Sequence, residues 1–200
     1  MSPPLRCTGI TKSYRRTPVL TGVDLTVDAG TSTAIVGENG SGKTTLIDIC
    51  AGVRRPDAGA VARSGAVGYC PQVPGLIDLL TIDDHLRLAA AGCSDRQAAM
   101  GRMHDLLDRL GVDATLPMTA TELSGGQRQK LNVGLAVADD PTLLLLDEPY
   151  QGFDHGSYLD LWDVIDHWTG EGRAVVVITH LLAEADRVDR VLTMSGGVLR

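Results

Sequence analysis

The chain has 200 residues, of which 44% are hydrophobic and 22% are charged, a composition that excludes a disordered tail and a collagen-like repeat. Its length suits one domain and excludes a self-contained membrane pump. The formal net charge of −7 argues against DNA or RNA as a partner, because proteins that bind phosphate backbones are usually basic.

The first half of the chain predicts two strands followed by two helical segments. Alternating apolar residues predict a half-buried strand over residues 23–27, and residues 33–36 predict a strand that leads directly into a glycine-rich loop. A helix is predicted over Lys43–Ala51, followed by a break at residues 54–59. Residues 79–110 are predicted to be mostly helical, with a capping box at their start.

The second half of the chain predicts a β-α-β unit. A helix is predicted from near Gly126 toward Asp139, and the apolar runs 143–146 and 174–178 predict strands buried on both faces of a parallel sheet. Between these strands, apolar residues on one face predict a further helix, namely Tyr158, Leu161, Trp162, Ile165 and Trp168.

Cysteine spacing and hydropathy limit the cellular compartments in which the chain is expected. The four cysteines form no C-x-x-C pair, which predicts neither a zinc site nor a disulfide framework and favours a reducing cytosol. The apolar runs are far shorter than the roughly 20 residues of a membrane span. We therefore expect a soluble chain.

The loop after the second predicted strand fits the phosphate-binding pattern G-x-x-x-x-G-K-[ST]. Its glycines let successive backbone N–H groups point at phosphate oxygens, and the helix that follows adds the positive end of its dipole. We expect Lys43 to reach the outer phosphates and Thr44 to bind magnesium. The alternative is a plain glycine turn, but the strand-loop-helix context favours a nucleotide. The predicted nucleotide-binding residues are Gly37, Glu38, Asn39, Gly40, Ser41, Gly42, Lys43, Thr44 and Thr45.

Two carboxylates, Asp147 and Glu148, follow the predicted strand 143–146. Ligands of open α/β sheets bind at the carboxyl ends of the strands, so these groups are expected near the phosphates. Asp147 suits the magnesium shell, in contact through a water molecule, and Glu148 suits orientation or deprotonation of an attacking water. An apolar strand that ends in Asp-Glu is also a common structural feature, and the phosphate loop is what favours the functional interpretation.

A second glycine-rich helix start follows at Leu123-Ser124-Gly125-Gly126-Gln127. It is a further anion-binding geometry, one more than a single nucleotide site needs. This motif resembles the signature LSGGQ of the ATP-binding cassette (ABC) proteins without a mismatch, and the resemblance covers essentially the whole chain.

The resemblance implies roles for four further residues. Tyr14 falls where the family stacks an aromatic ring on adenine, and Gln72 falls where its Q-loop glutamine touches magnesium and the attacking water. His180 matches the switch histidine that contacts the γ-phosphate, and Asp154 matches the D-loop aspartate. The residues before Asp154 are Gln-Gly-Phe where the family usually has Ser-Ala-Leu, which leaves communication between the two ATP sites open. The other four histidines are expected on the surface without a role.

The resemblance also implies an architecture and partners. The implied fold is an α/β P-loop NTPase with a central, mostly parallel sheet, an antiparallel β-subdomain and an inserted helical subdomain. We expect residues 1–75 and 140–200 to form the core and residues 76–139 the helical part. ATP and Mg²⁺ are the implied cofactors, and a second ABC subunit, bound head to tail, and separate transmembrane subunits are the implied partners. The implied location is the cytoplasmic face of the cell membrane.

Several points stay open at the level of sequence. Residues 75–80 are apolar and match either a groove for a membrane subunit or packing within the helical subdomain. Leu135, where many importers carry arginine, and residues 184–190 resemble the drug- and antibiotic-exporter branch. The alternatives are a soluble mechanical ABC ATPase, an accessory ATPase for metallocluster assembly, and a binding-only regulatory subunit. Glu148 and His180 argue against the last of these, because a structural cassette needs no general base.

Overall fold

The computed structural model describes residues 2–180 and 185–200 as an α/β protein with two sheets. The described strands are β1 (Leu5–Tyr14), β2 (Thr17–Val27), β3 (Ser32–Val36), β4 (Ala58–Arg63), β5 (Val67–Cys70), β6 (Leu143–Asp147), β7 (Ala174–Ile178), β8 (Arg190–Ser195) and β9 (Val198–Leu199). The described α-helices are α1 (Lys43–Ala51), α2 (Ile82–Ala90), α3 (Arg96–Arg109), α4 (Gly125–Leu135) and α5 (His155–Gly170). A short 3₁₀ turn covers Ala185–Arg187.

The smaller sheet is antiparallel and has the strand order β2-β1-β4. The larger sheet has the order β5-β6-β7-β3-β8-β9, and its first five strands run parallel, while β9 pairs antiparallel with β8. The carboxyl ends of β5, β6, β7 and β3 therefore meet at one edge, which is where open parallel sheets bind ligands.

Strands β6 and β7 divide their side chains between two hydrophobic cores. Leu144 and Leu146 pack with the helices α2 to α5, whereas Leu143 and Leu145 pack with α1 and the antiparallel sheet. Because successive side chains of a strand point to opposite faces, both faces of this sheet are buried. This explains the uninterrupted apolar runs and confirms the predicted fold class.

The observed elements correct several predicted boundaries. The helical stretch 79–110 is interrupted after Ala90, because Asp95 caps a new helix by accepting a hydrogen bond from Ala98 N–H at 3.0 Å. Helix α4 begins at Gly125 and ends at Leu135, short of Asp139. Strand β4, which the sequence analysis does not predict, is an edge strand with mostly exposed residues and no apolar alternation. Tyr14 is the last residue of β1 and pairs with Thr17 in the first β-hairpin.

Two further expectations concern the surface histidines and membrane-spanning segments. His85 was expected on the surface, but its side chain is buried, with the ring Nδ1 2.7 Å from Thr81 O and Nε2 accepting a hydrogen bond from Ile77 N–H at 2.9 Å. Within the described residues, no helix combines the length and apolar character needed to cross a membrane.

Candidate functional site

A cavity of about 680 Å³ opens at the carboxyl edge of the larger sheet. Each of four neighbouring strands leads into a segment that lines this cavity. Strand β3 leads into the phosphate loop, β5 into Gln72, β6 into Glu148 and β7 into His180. The cavity is lined by Tyr14, Val19, Asn39, Gly40, Gly42, Lys43, Thr44, Thr45, Gln72, Glu148, Gln151 and His180. The structure thus brings together residues separated by more than 150 positions in the chain.

The phosphate loop folds around the buried ammonium group of Lys43. Lys43 is 6% exposed, and its Nζ donates to the carbonyl oxygens of Gly37 at 2.7 Å and Glu38 at 2.9 Å. Gly42 precedes α1 with φ at +109° and supplies no side-chain cap, so the first N–H groups of the helix stay available to an anion. A β-carbon on Gly37 would collide with the backbone of Met194, which explains the need for glycine there.

Ser41 lies in the loop but outside the main cavity. Together with Gly40 and Glu38 it borders a second, adjoining cavity of about 310 Å³. Its hydroxyl oxygen is buried and has no hydrogen-bond partner among the described residues. Buried hydroxyls are almost always bonded, so this atom is suited to an acceptor or donor that a ligand brings.

Glu148 lines the cavity and contacts two further lining side chains. Its Oε2 accepts a hydrogen bond from Gln72 Nε2 at 3.1 Å, and its Oε1 lies 3.5 Å from His180 Nδ1. The residue is only 8% exposed and adopts φ +47°, a left-handed conformation that a non-glycine residue rarely takes. Its backbone N–H donates to Ile178 O at 3.1 Å, which fixes this turn to the end of β7. A carboxylate, an amide and an imidazole therefore converge at one point.

Asp147 ends β6 and lies behind the cavity lining, 1% exposed. Neither of its carboxylate oxygens has a hydrogen-bond partner among the described residues. Burial raises the pKa of Asp147 to about 6, and Glu148 adds to the rise, whereas the nearby Thr44 hydroxyl and Lys43 lower the pKa. A buried carboxylate without a partner is costly unless a cation or donor reaches it.

The predicted signature residues do not line this cavity. Ser124 caps α4 through a capping box, in which its Oγ accepts from Gln127 N–H at 3.2 Å and Gln127 Oε1 accepts from Ser124 N–H at 2.9 Å. Leu123 is buried, and Gly125 has open space where a β-carbon would lie. The start of the signature helix is therefore separate from the cavity that the phosphate loop lines.

Asp154 caps α5 and is linked to the signature helix. Its carboxylate accepts from Ser157 N–H at 3.0 Å and from Ser157 Oγ at 2.7 Å, and these bonds hold the pKa of Asp154 well below its usual range. Lys130 of α4 donates to Ser157 Oγ at 2.5 Å and lies 3.5 Å from Asp154 Oδ2. Gly126 packs against the backbone of Gly152, in the Gln-Gly-Phe segment that departs from the family pattern.

Several supporting residues escaped the sequence analysis. Val19 lines the cavity without belonging to any predicted motif, and Gln151 lines it although the Gln-Gly-Phe segment was not predicted to do so. Asn132 Nδ2 donates to Pro71 O at 2.7 Å, and Gln129 Nε2 donates to Glu148 O at 3.4 Å, so α4 holds the segments on both sides of the cavity. These polar residues on an otherwise apolar helix face were the available signal. Of the predicted exporter-like stretch, Glu184 lies outside the described residues.

Comparison with known proteins identifies the family. The family model described as ABC transporter matches residues 20–151, which include the phosphate loop, the signature motif and Glu148. Among solved structures, the ATP-binding subunit of an ABC transporter superposes with a TM-score of 0.89 at 28% sequence identity, covering 98% of this chain and 87% of that one.

Two curated relatives illustrate the range of the family. The zinc import ATP-binding protein ZnuC of Paramagnetospirillum magneticum (strain ATCC 700264 / AMB-1) is 37% identical over 92% of this chain and 72% of the relative. The probable multidrug ABC transporter ATP-binding protein YbhF of Escherichia coli (strain K12) is 34% identical over 91% of this chain, which spans only 34% of that relative. The chain therefore belongs to the ABC transporter family as an ATP-binding subunit, and it is an ATPase of that family.

Proposed function

We propose that this subunit hydrolyses ATP in a head-to-tail dimer and drives export through separate membrane subunits. The observation that carries the proposal is the convergence of the phosphate loop with Gln72, Glu148 and His180 on one cavity. A phosphate loop alone would serve any nucleotide-binding protein. A buried carboxylate next to an amide and an imidazole serves a hydrolytic reaction.

Each side chain at the cavity has a distinct role in this proposal. Lys43 and the free N–H groups at the start of α1 bind the phosphates, and Tyr14 stacks on the base. Glu148 takes the proton of the attacking water, Gln72 orients that water, and His180 contacts the γ-phosphate. The observed contacts of Gln72 and His180 with the two Glu148 oxygens support a common reaction centre.

Thr44, Gln72 and Asp147 are the residues that would hold Mg²⁺. The fit is good, because magnesium prefers oxygen ligands and usually keeps several waters, and the two unpartnered Asp147 oxygens suit such a hydrated ion. When bound, the metal would neutralise charge on the phosphate oxygens. The nearby cation would also lower the pKa of Asp147 and keep it ionised at neutral pH.

The position of the signature helix supports the dimer. Residues 76–139 form the proposed helical part, and Ser124 at the start of α4 is absent from the cavity lining of its own chain. Because the Ser124 hydroxyl uses a lone pair to cap its helix, its proton stays free to donate to an anion. A second subunit placed head to tail brings this donor to the phosphates, so each ATP lies between two chains.

The first test is the variant Glu148→Gln. Loss of the general base is expected to reduce kcat by about 10²–10⁴-fold, since this is the usual contribution of such a group. ATP binding should persist, and the variant should form stable dimers with ATP, measured by light scattering after size-exclusion chromatography.

Glu171→Gln provides the matched control. Glu171 is an exposed residue that pairs with Arg173 and lies outside the cavity lining, so kcat should stay unchanged in this variant. Unchanged ATPase activity in Glu148→Gln would overturn the assignment of the base. An ATP-loaded Glu148→Gln protein that stays monomeric would overturn the dimer.

An exposed apolar patch near the Q-loop supports a membrane partner. Val73, Ile77 and Leu79 are 78%, 50% and 83% exposed, whereas Leu76 packs against the larger core. The segment 75–80 therefore contains both kinds of residue: Leu76 packs within the protein, whereas Ile77 and Leu79 are available to a membrane subunit. Exposed apolar side chains in one short segment are suited to a protein interface, and we assign this one to a membrane subunit at the cytoplasmic face.

Purification in mild detergent tests this assignment. Tagged Glu148→Gln protein with ATP should copurify with a stoichiometric multi-span membrane protein, identified by mass spectrometry. Adding Leu79→Asp should abolish copurification, whereas Leu159→Asp, on the outer face of α5, should not. Recovery of soluble partners alone would favour the accessory ATPase for metallocluster assembly.

The proposal of export rests on Leu135, at a position where many importers carry arginine. Leu135 is at the end of α4 and packs partly against the larger core. The relatives include both an import protein and a multidrug protein, so direction needs its own experiment. Inverted membrane vesicles that contain the complete complex should accumulate a cationic dye when ATP is added outside. ATP-driven loss of preloaded zinc from such vesicles would overturn export in favour of import.

A further inference from the structure

Tyr14 stands at the tip of the first hairpin but is not free to move. It is the last residue of β1, its side chain is 40% exposed, and it lines the cavity. The guanidinium carbon of Arg54 lies over its ring, 5.3 Å from the ring centroid, which is within the range of a cation–π contact. Arg54 itself is absent from the described lining, so it covers the ring from outside the cavity.

Arg54 is in turn fixed to the helix that follows the phosphate loop. Asp48 of α1 accepts two hydrogen bonds on its Oδ2, from Arg54 Nε at 3.2 Å and from Arg54 Nη2 at 3.0 Å. Asp48 is only 8% exposed, and its Oδ1 accepts from Tyr69 OH at 2.7 Å. A buried carboxylate with bonds on both oxygens holds a guanidinium in a defined orientation.

Asp57, three residues further, holds the backbone of the same strand. Its Oδ2 accepts from Ser13 N–H at 2.7 Å, its Oδ1 accepts from Lys12 Nζ at 2.6 Å, and its own N–H donates to Thr11 O at 2.9 Å. The short segment 54–57 is therefore hydrogen-bonded to residues 11–13 of β1 and makes a cation–π contact with Tyr14. It connects the tip of the hairpin to α1, whose first residue is Lys43.

We propose that Arg54, held by Asp48, is a positioning residue that fixes Tyr14 for the base of the bound nucleotide. The inference rests on the proposed function, in which Tyr14 stacks on that base. One face of the ring carries Arg54, and the cavity side stays free for the base. Since Asp48 and Lys43 lie on one helix, the base site and the phosphate site are built on a common rigid element.

Steady-state kinetics of the full chain test this proposal. Arg54→Met removes the cation and keeps an apolar stem of similar length, so the KM for ATP should rise about threefold to tenfold while kcat is unchanged. Arg54→Lys should give a smaller rise. Arg55→Met is the matched control, because Arg55 is exposed and makes no contact that the described residues show, and its KM should equal that of wild type.

Two further measurements separate positioning from general damage. Inorganic tripolyphosphate, which lacks a base, should inhibit wild type and Arg54→Met with the same Ki. In a Tyr14→Ala background, Arg54→Met should add no further rise in KM, because its effect passes through the ring. An equal rise in the Ki for tripolyphosphate would overturn the proposal.

The outcomes also distinguish this proposal from the proposed function. A wild-type chain that neither binds nor hydrolyses ATP would contradict the function itself. If Tyr14→Ala raises KM but Arg54→Met and Arg54→Lys do not, the function stands and the positioning role fails. If Tyr14→Ala leaves KM unchanged, the ring does not serve the base and the inference falls with it.

Discussion

A backbone contact joins Gly126, in the signature motif, to Gly152, just before Asp154. A β-carbon on Gly126 would collide with the carbonyl oxygen of Gly152, and Gly152 itself adopts φ +78°. Gly126→Ala should therefore push the start of α4 away from the segment before α5. We expect a loss of about 1–3 kcal/mol in the free energy of unfolding, as for other overpacked sites, and a Tm lower by about 3–10 °C.

Gly125→Ala is the control for this contact. No atom lies within 4 Å of the position that a β-carbon on Gly125 would occupy, and Gly125 is the first residue of the same helix. Its Tm should equal or slightly exceed that of wild type, because alanine restricts the unfolded chain. Equal melting temperatures for both variants, measured by calorimetry without nucleotide, would show that the backbone contact is not tight.

Sequence patterns predicted which residues meet at the cavity where that placement follows from their neighbours along the chain. Lys43 directly follows a glycine-rich loop and Glu148 directly follows a buried strand, and both line the cavity as this local context predicts. Arg54 was not predictable, because its partner Tyr14 is 40 residues away and the contact depends on how the hairpin meets α1. His85 was predicted wrongly as a surface residue, although its position on a helix face next to Leu86 was a signal of burial.

At the scale of elements, a buried ammonium group links α4 to the start of α5. Lys130 Nζ contacts Ser157 Oγ and the Asp154 carboxylate, and it lies 5.4 Å from the centroid of the Phe153 ring. Lys130→Met keeps the apolar stem but removes these charge-assisted contacts. Urea unfolding should show a loss of about 1.5–3 kcal/mol in the free energy of unfolding, the usual range for a hydrogen bond to a charged group.

Arg96→Met is the matched control for Lys130→Met. Arg96 is the first residue of α3 and is exposed, without a contact among the described residues. Its replacement should leave the urea midpoint within error of wild type. If the Lys130 and Arg96 variants unfold at the same urea concentration, the link between α4 and α5 contributes nothing measurable.

Contacts between α4 and the start of α5 involve an unusual segment of the sequence. The Gln-Gly-Phe segment departs from the usual family pattern, yet Gly152 fits against Gly126 and Phe153 lies beside Lys130. Neither contact could be inferred from the segment alone, since each depends on residues at least 23 positions away in α4. Strands β6 and β7, in contrast, were predictable because burial on both faces leaves a continuous apolar run.

At the scale of the whole molecule, net charge bears on the proposed dimer. Each chain carries a formal charge of −7, and bound ATP adds further negative charge to the interface. Long-range repulsion between two such subunits is screened by salt, with a Debye length of about 14 Å at 0.05 M and about 6 Å at 0.3 M. Raising the salt concentration over this range should therefore strengthen dimer formation by Glu148→Gln with ATP, measured as the dissociation constant by sedimentation.

The affinity of the single subunit for ATP should change in the opposite direction. In the proposed function ATP binds at Lys43 and the positive start of α1, and salt weakens both of these local attractions. Binding of ATP to the monomer, measured by calorimetry at concentrations too low for dimers, is the control for this difference. A dimer that also weakens with salt would mean that attraction between opposite charges across the interface outweighs the net repulsion of two acidic chains.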